Sequence, residues 1–121
     1  MNVEELYNYC LSIHEAEAST PFNKETVVMK IRDKIFALIP LDVHPSCISL
    51  KCDPQKAIDL RERYQCVTGA YHMNKTHWNT IIINGEMPDE EIKRWIHHSV
   101  SEVMKKLPKK IQKEYYDSSG R

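Results

Sequence analysis

Apolar positions along the chain change period several times, and each change marks an element. Near the start, Leu6, Cys10 and Ile13 recur at i, i+4, i+7 spacing, and Tyr7 and Leu11 broaden the stripe. Asn2 stands where an N-cap belongs and Glu5 at the N3 position, so the pattern predicts a capped helix over 2–14. Residues 15–25 lose the period and read as a loop. Two β-rich runs follow, 26–32 and 35–41, and a tight turn at Asp33-Lys34 makes them a hairpin. Alternation puts Val27, Met29 and Ile31 on one face and Val28, Lys30 and Arg32 on the other. A third strand over 47–52 ends at Asp53-Pro54, an N-cap acid followed by proline where no N–H is needed. The helix so started runs to about Tyr64, with Ala57, Leu60 and Tyr64 inward. Short strands are expected over 67–71 and 78–83. The clearest period comes last: Ile92, Trp95, Ile96, Ser99, Val100, Val103, Met104 and Leu107 repeat at three-four spacing behind Pro88. That pattern predicts the longest helix, packed on a sheet. Lys105 and Lys106 suit its negative end, and Pro108 stops it.

The order is α-β-β-β-α-β-β-α. Hairpin-linked early strands with helices at both ends favour an α+β two-layer sandwich, a largely antiparallel sheet with its helices on one face. One domain is expected over 1–108. Residues 109–121 read as a basic tail with one or two helical turns and a frayed, partly disordered end.

Composition narrows the classes. No apolar run nears the roughly 20 residues that cross a bilayer, and Glu4 and Glu5 occupy the place of a signal peptide's positive charge, so a cytoplasmic protein is expected. Cys10, Cys47, Cys52 and Cys66 form no CxxC pair and read as free, buried thiols. His44, Cys47 and Cys52 match no common zinc spacing. Net charge is zero, which disfavours a strong unspecific polyanion binder. The charge is uneven, however: residues 1–25 balance at −4, 26–92 at −1 and 93–121 at +5.

Dinucleotide, P-loop, nucleophile-elbow and zinc-protease motifs are all missing, so neither an enzyme nor a bound cofactor is expected. Recognition chemistry is richer. The stretch from Gly69 to Gly85 begins polar and aromatic, then turns into the β-branched run that ends at Asn84-Gly85. Its loop gathers His72, Asn74, Lys75, His77 and Trp78. Lysine can pair with phosphate, asparagine can read a base edge, and an outward indole can stack. Lys30, Arg32 and Lys34 bring positive charge to the hairpin, giving two projections able to straddle a duplex.

Several stretches carry a family resemblance. Pro21-Phe22, Phe36-Ala37 in the hairpin, Leu50-Lys51-Cys52-Asp53-Pro54, the run from His72 to Thr80, Ser99 and Leu107-Pro108 occur in the order seen in the MmcQ/YjbR family of small bacterial proteins. The most specific segment is His-Met-x-Lys-x-x-Trp. The resemblance implies a CyaY-like, frataxin-like fold and DNA binding through a "double wing". By motif position it implies Lys51, His72, Asn74, Lys75, His77 and Trp78 as contacts; Lys30 and Arg32 come from the hairpin instead. The expectation is a non-enzymatic DNA-binding or regulatory protein, monomeric or weakly dimeric, with no resident metal and no membrane partner. Two alternatives stay open. One is a protein-interaction or chaperone-like module using an open sheet face. The other is a small-molecule or metal site near Cys66, His72 and His77.

Overall fold

The computed structural model describes residues 1–20, 25–70 and 73–120. The element order is α1 (Val3–Leu11), β1 (Glu17–Ser19), β2 (Thr26–Ile31), β3 (Lys34–Pro40), β4 (Cys47–Lys51), α2 (Pro54–Arg63), β5 (Val67–Gly69), β6 (Trp78–Ile82), α3 (Asp89–Met104) and α4 (Lys109–Ser118). The six strands form one sheet in the order β1-β2-β3-β4-β6-β5, every pair antiparallel. The architecture is α+β, as the hydrophobic pattern requires.

Local rules account for most boundaries. The Asn2 side chain accepts the Glu5 N–H at 2.8 Å while the Glu5 carboxylate accepts the Asn2 N–H at 3.0 Å, a complete capping box. Asp53 caps α2 by accepting the Lys56 N–H at 3.1 Å, with Pro54 as its first residue. Two elements exceed the sequence reading. β1 has only three residues and alternates too briefly to betray itself; it pairs Glu17 with Lys30 and Ser19 with Val28. The chain over 109–118 forms a full helix, with Tyr115 only 4 % exposed.

The hairpin turn lies one residue earlier than expected. Arg32 and Asp33 are its central residues, with φ of 50° and 66°. Positive φ at both central residues is the mark of a type I′ turn, whose twist matches that of its strands. Further down the hairpin, Met29 pairs with Ala37 but Lys30 pairs with Ile35, so Phe36 is an extra residue in β3. This bulge turns both Phe36 and Ala37 into the core, each 0 % exposed.

The core lies between the helices and one sheet face. Leu6 and Cys10 of α1, Ala57 and Leu60 of α2, and Ile92, Ile96 and Val103 of α3 meet Met29, Ile39, Ile48 and Ile81 there. Each large side chain buried in this way contributes about 1.5–3 kcal/mol. Cys10, Cys52 and Cys66 are buried free thiols, and Cys47 is half-buried. On the opposite face the register aligns Val28, Leu38, Ser49, Thr80 and Thr68 in a row across the sheet.

Ser99 fastens the longest helix to the sheet. Its hydroxyl donates to the Phe36 carbonyl at 2.6 Å and accepts the Lys51 N–H at 2.9 Å, with the residue 0 % exposed. Ser99→Ala leaves a carbonyl and an amide unpaired in the interior. The expected loss of stability is about 2–4 kcal/mol, read as a lower midpoint in urea unfolding at unchanged slope.

Candidate nucleic-acid interface

Antiparallel pairing brings two sequence-distant projections to one end of the sheet. β2 ends and β3 begins at the hairpin turn; β4 ends at Lys51, directly opposite Trp78, the first residue of β6. β3 and β6 flank β4, so the turn and the loop before β6 are separated by two strand spacings, about 10 Å.

The side chains are deployed differently from the sequence expectation. The Arg32 guanidinium binds the Glu15 carboxylate through Nε and, at 3.1 Å, through Nη2, with Glu114 of α4 3.7 Å away. That hydrogen bond, and the opposite charge, hold Glu15 below the usual carboxylate range and push Arg32 above its ordinary value. Arg32 is therefore engaged by acids of its own chain at the surface, and not a free cation as the hairpin pattern suggests. Lys30 is half-buried and stands across the strand from Glu17. Trp78 is also corrected: it is 7 % exposed and offers no stacking surface. Its register with Lys51 puts it on the sheet face away from the helices, where Val28 and Leu38 are buried as well. His72 lies outside the described residues.

The loop keeps the remaining candidates together. Asn74 and Lys75 are exposed. Asn74 Oδ1 accepts the Thr76 N–H at 2.8 Å and the Asn74 carbonyl accepts the His77 N–H at 3.1 Å, which fixes a compact turn. The Cys52 N–H donates to the half-buried His77's carbonyl at 2.8 Å, tying the loop to the end of β4. Lys75 leans on Gly69, where an added Cβ would come within 3.1 Å of Lys75 Cγ. Arg61 of α2, absent from the sequence expectation, pins the loop from below: Nη1 donates to the Lys75 carbonyl at 3.0 Å and to Asn79 Oδ1 at 2.7 Å. Among the described residues, the shallow depression beside Lys75 is lined by Pro54, Ile58, Arg61 and Thr76, with no acid.

Lys51 has a second set of neighbours. Burial pushes its ammonium below the ordinary lysine value, and repulsion from Lys106 and Lys34 adds to this against the pull of Glu102. None of Lys34, Lys51 and Lys106 has an ion-pair partner among the described residues. The hairpin's outward charge is thus Lys34, at the start of β3. Lys106 follows the end of α3, and only the folded chain brings it near. His98 completes the support: its Nε2 accepts the Asp53 N–H at 3.2 Å, which requires an unprotonated ring nitrogen.

Burial and the positive charge of Lys56 and Lys105 push His98 below its ordinary value of 6.5. The unfolded chain therefore binds this proton more readily than the folded one. The stabilising contribution is complete above pH 6.5 and is lost as pH falls from there through the lower folded value. Urea midpoints measured across that interval should fall, and His98→Gln should flatten the slope.

A family model described as YjbR matches residues 11–100. The uncharacterized protein YjbR of Escherichia coli (strain K12) is 30% identical over 113 residues, covering 93% of this chain and 96% of the relative. The uncharacterized protein YbdF of Escherichia coli O157:H7 is 34% identical over 103 residues, 85% of this chain and 84% of the relative. A crystal structure of a Deinococcus radiodurans protein, described with the domain DUF419, superposes with a TM-score of 0.88 at 31% identity, over 94% of this chain and 87% of that one. A Pseudomonas syringae crystal structure gives 0.74 at 26% identity, over 85% and 99%. The matched segment contains all six strands and stops short of Lys106 and α4.

Proposed function

The chain belongs to the YjbR family, and from that premise we propose that it is a non-enzymatic DNA-binding protein that holds phosphates at the lysine-bearing end of its sheet. The observation that carries this reading is that Lys51 feels the charges of Lys34 and Lys106, that none of the three has an ion-pair partner among the described residues, and that the acid acting on Lys51, Glu102, is paired with Lys105 at 2.7 Å. Lys51, half-buried and repelled by both Lys106 and Lys34, gains from an anion placed beside it. Lys75 and Asn74 extend the same end on the far side of β4.

The geometry favours contact with the backbone over contact with bases. Trp78 is enclosed and cannot stack. Lysines are point charges that position a duplex without reading it. Binding of this kind is sequence-tolerant and salt-sensitive. Cations and amides, the groups that hold phosphate, predominate here among the described residues, and Glu102 is engaged by Lys105.

A second reading, docking of a protein partner, draws on the sheet face away from the helices. Cys47, Ser49, Thr80 and Ile82 are half-exposed and uncharged there, and Ser49 and Thr80 share a 2.7 Å hydroxyl contact.

Fluorescence anisotropy with a labelled duplex separates the two. Affinity should fall with salt, with a log–log slope of about −3. Lys34→Ala, Lys51→Met and Lys106→Ala should each reduce the slope by about one. Lys75→Ala should weaken binding, whereas Arg32→Ala should leave the slope unchanged. Absent or salt-independent binding would end the DNA reading, and a protein co-purifying without nucleic acid would favour the second.

A further inference from the structure

Away from the sheet end, α1, α3 and α4 enclose a cleft of about 490 Å³. That size falls in the range of small-molecule sites, about 300–1,000 Å³. Five rings line it: Tyr9, His14, His97, Tyr115 and Tyr116. The rings hold one another. Tyr9 and His97 meet edge to face at 5.6 Å, His14 and Tyr115 at 5.2 Å, and Tyr115 and Tyr116 edge to face at 5.2 Å. Hydrogen bonds lock the arrangement. The Tyr9 hydroxyl and His97 Nε2 are 2.7 Å apart, His14 Nε2 and Ser118 Oγ 2.8 Å, and Tyr115 donates to the His14 carbonyl at 3.0 Å. The walls are thus preorganised, which lowers the ordering cost of binding.

We propose that this cleft binds an uncharged, planar heteroaromatic molecule of the kind represented by a nucleoside. The chemistry of the lining sets the class. Among the described residues its lining includes no lysine, arginine, aspartate or glutamate, and the charges just behind it, Glu15 at 3.4 Å from His14 Nε2 and Lys93 at 5.2 Å from the Tyr9 ring, are of opposite sign and favour neither an anion nor a cation. Aromatic walls favour a flat ring, through stacked or edge-to-face contacts. The polar groups are hydroxyls and imidazoles, which can each give or accept a hydrogen bond. Ser12, Tyr115 and Ser119 already donate to the Tyr9, His14 and Tyr116 carbonyls, and the lone pairs that a donating hydroxyl retains suit a ligand edge that carries N–H or O–H donors. A quaternary ammonium could use the rings but would leave that polar complement unused.

The cleft is independent of the sheet end, so loss of duplex binding would not affect it. The test is a titration of the isotope-labelled full chain with adenosine and with uridine, followed by amide chemical shifts, with choline as the cationic control. The expected result is saturable shifts confined to the surroundings of Tyr9, His14, His97 and Tyr116. Tyr116→Ala, at a position already 36 % exposed, should weaken binding about fivefold through loss of one ring. Tyr9→Phe, which keeps the ring and removes the hydroxyl, should weaken it as well. No saturable shift with either nucleoside, tighter binding of choline, shifts centred on Lys34, Lys51 and Lys106, or unchanged affinity in both variants would each overturn the proposal.

Discussion

The two hydrogen bonds of the Ser99 hydroxyl hold together the parts on which everything else relies. The bulge at Phe36 interrupts the β2–β3 ladder and frees a carbonyl from strand pairing. Lys51 stands where β4 passes into the start of α2, and its amide likewise points at α3. One small side chain satisfies both from the helix, at no exposure. A buried polar group is tolerated only when it is fully paired, so this contact fixes where α3 crosses the sheet as well as stabilising the fold. The end of α3, with Glu102 and Lys106, is then delivered beside Lys51. The lysine grouping follows from that crossing.

Charge pairing divides the surface in the same economical way. Arg63 and Glu91 meet at 2.7 Å, with the Tyr64 hydroxyl donating to the same carboxylate at 2.6 Å. Lys105 and Lys113 are taken by Glu102 and Asp117 on their own helices. Exposed pairs of this kind contribute little to stability. Their effect is to decide which cations remain available.

Much of this fold was legible from spacing alone. The α3 period, the caps at Asn2 and Asp53, and the strands at either side of Lys51 follow from local rules, because each depends on residues within a turn or two of one another. The short β1 was not legible, since three residues cannot display an alternation and its pairing with β2 is a tertiary event. The site was legible only in part. That the hairpin and the 73–78 loop would share an end of the sheet follows from antiparallel topology. Which of their side chains would face outward does not. Arg32 looks free until Glu15 and Glu114 arrive from other elements, and Trp78 looks like a stacking platform until its register with Lys51 is known. Lys106 and Arg61 carry no local signal of their part in the site, because only the crossing of α3 and the packing of α2 bring them there.

Two guanidinium groups at this end of the sheet are engaged within the chain, Arg32 by Glu15 at the surface and Arg61 by Asn79 and the Lys75 carbonyl. Among the described residues, the cations left without an ion-pair partner beside Lys51 are ammonium groups. A forked, planar donor would dictate how a phosphate or a guanine edge must lie against it, whereas a round charge on a flexible stem imposes no such angle. Any polyanion meeting this surface would be held by charge density without a preferred rotational setting, free to slip along it one phosphate at a time.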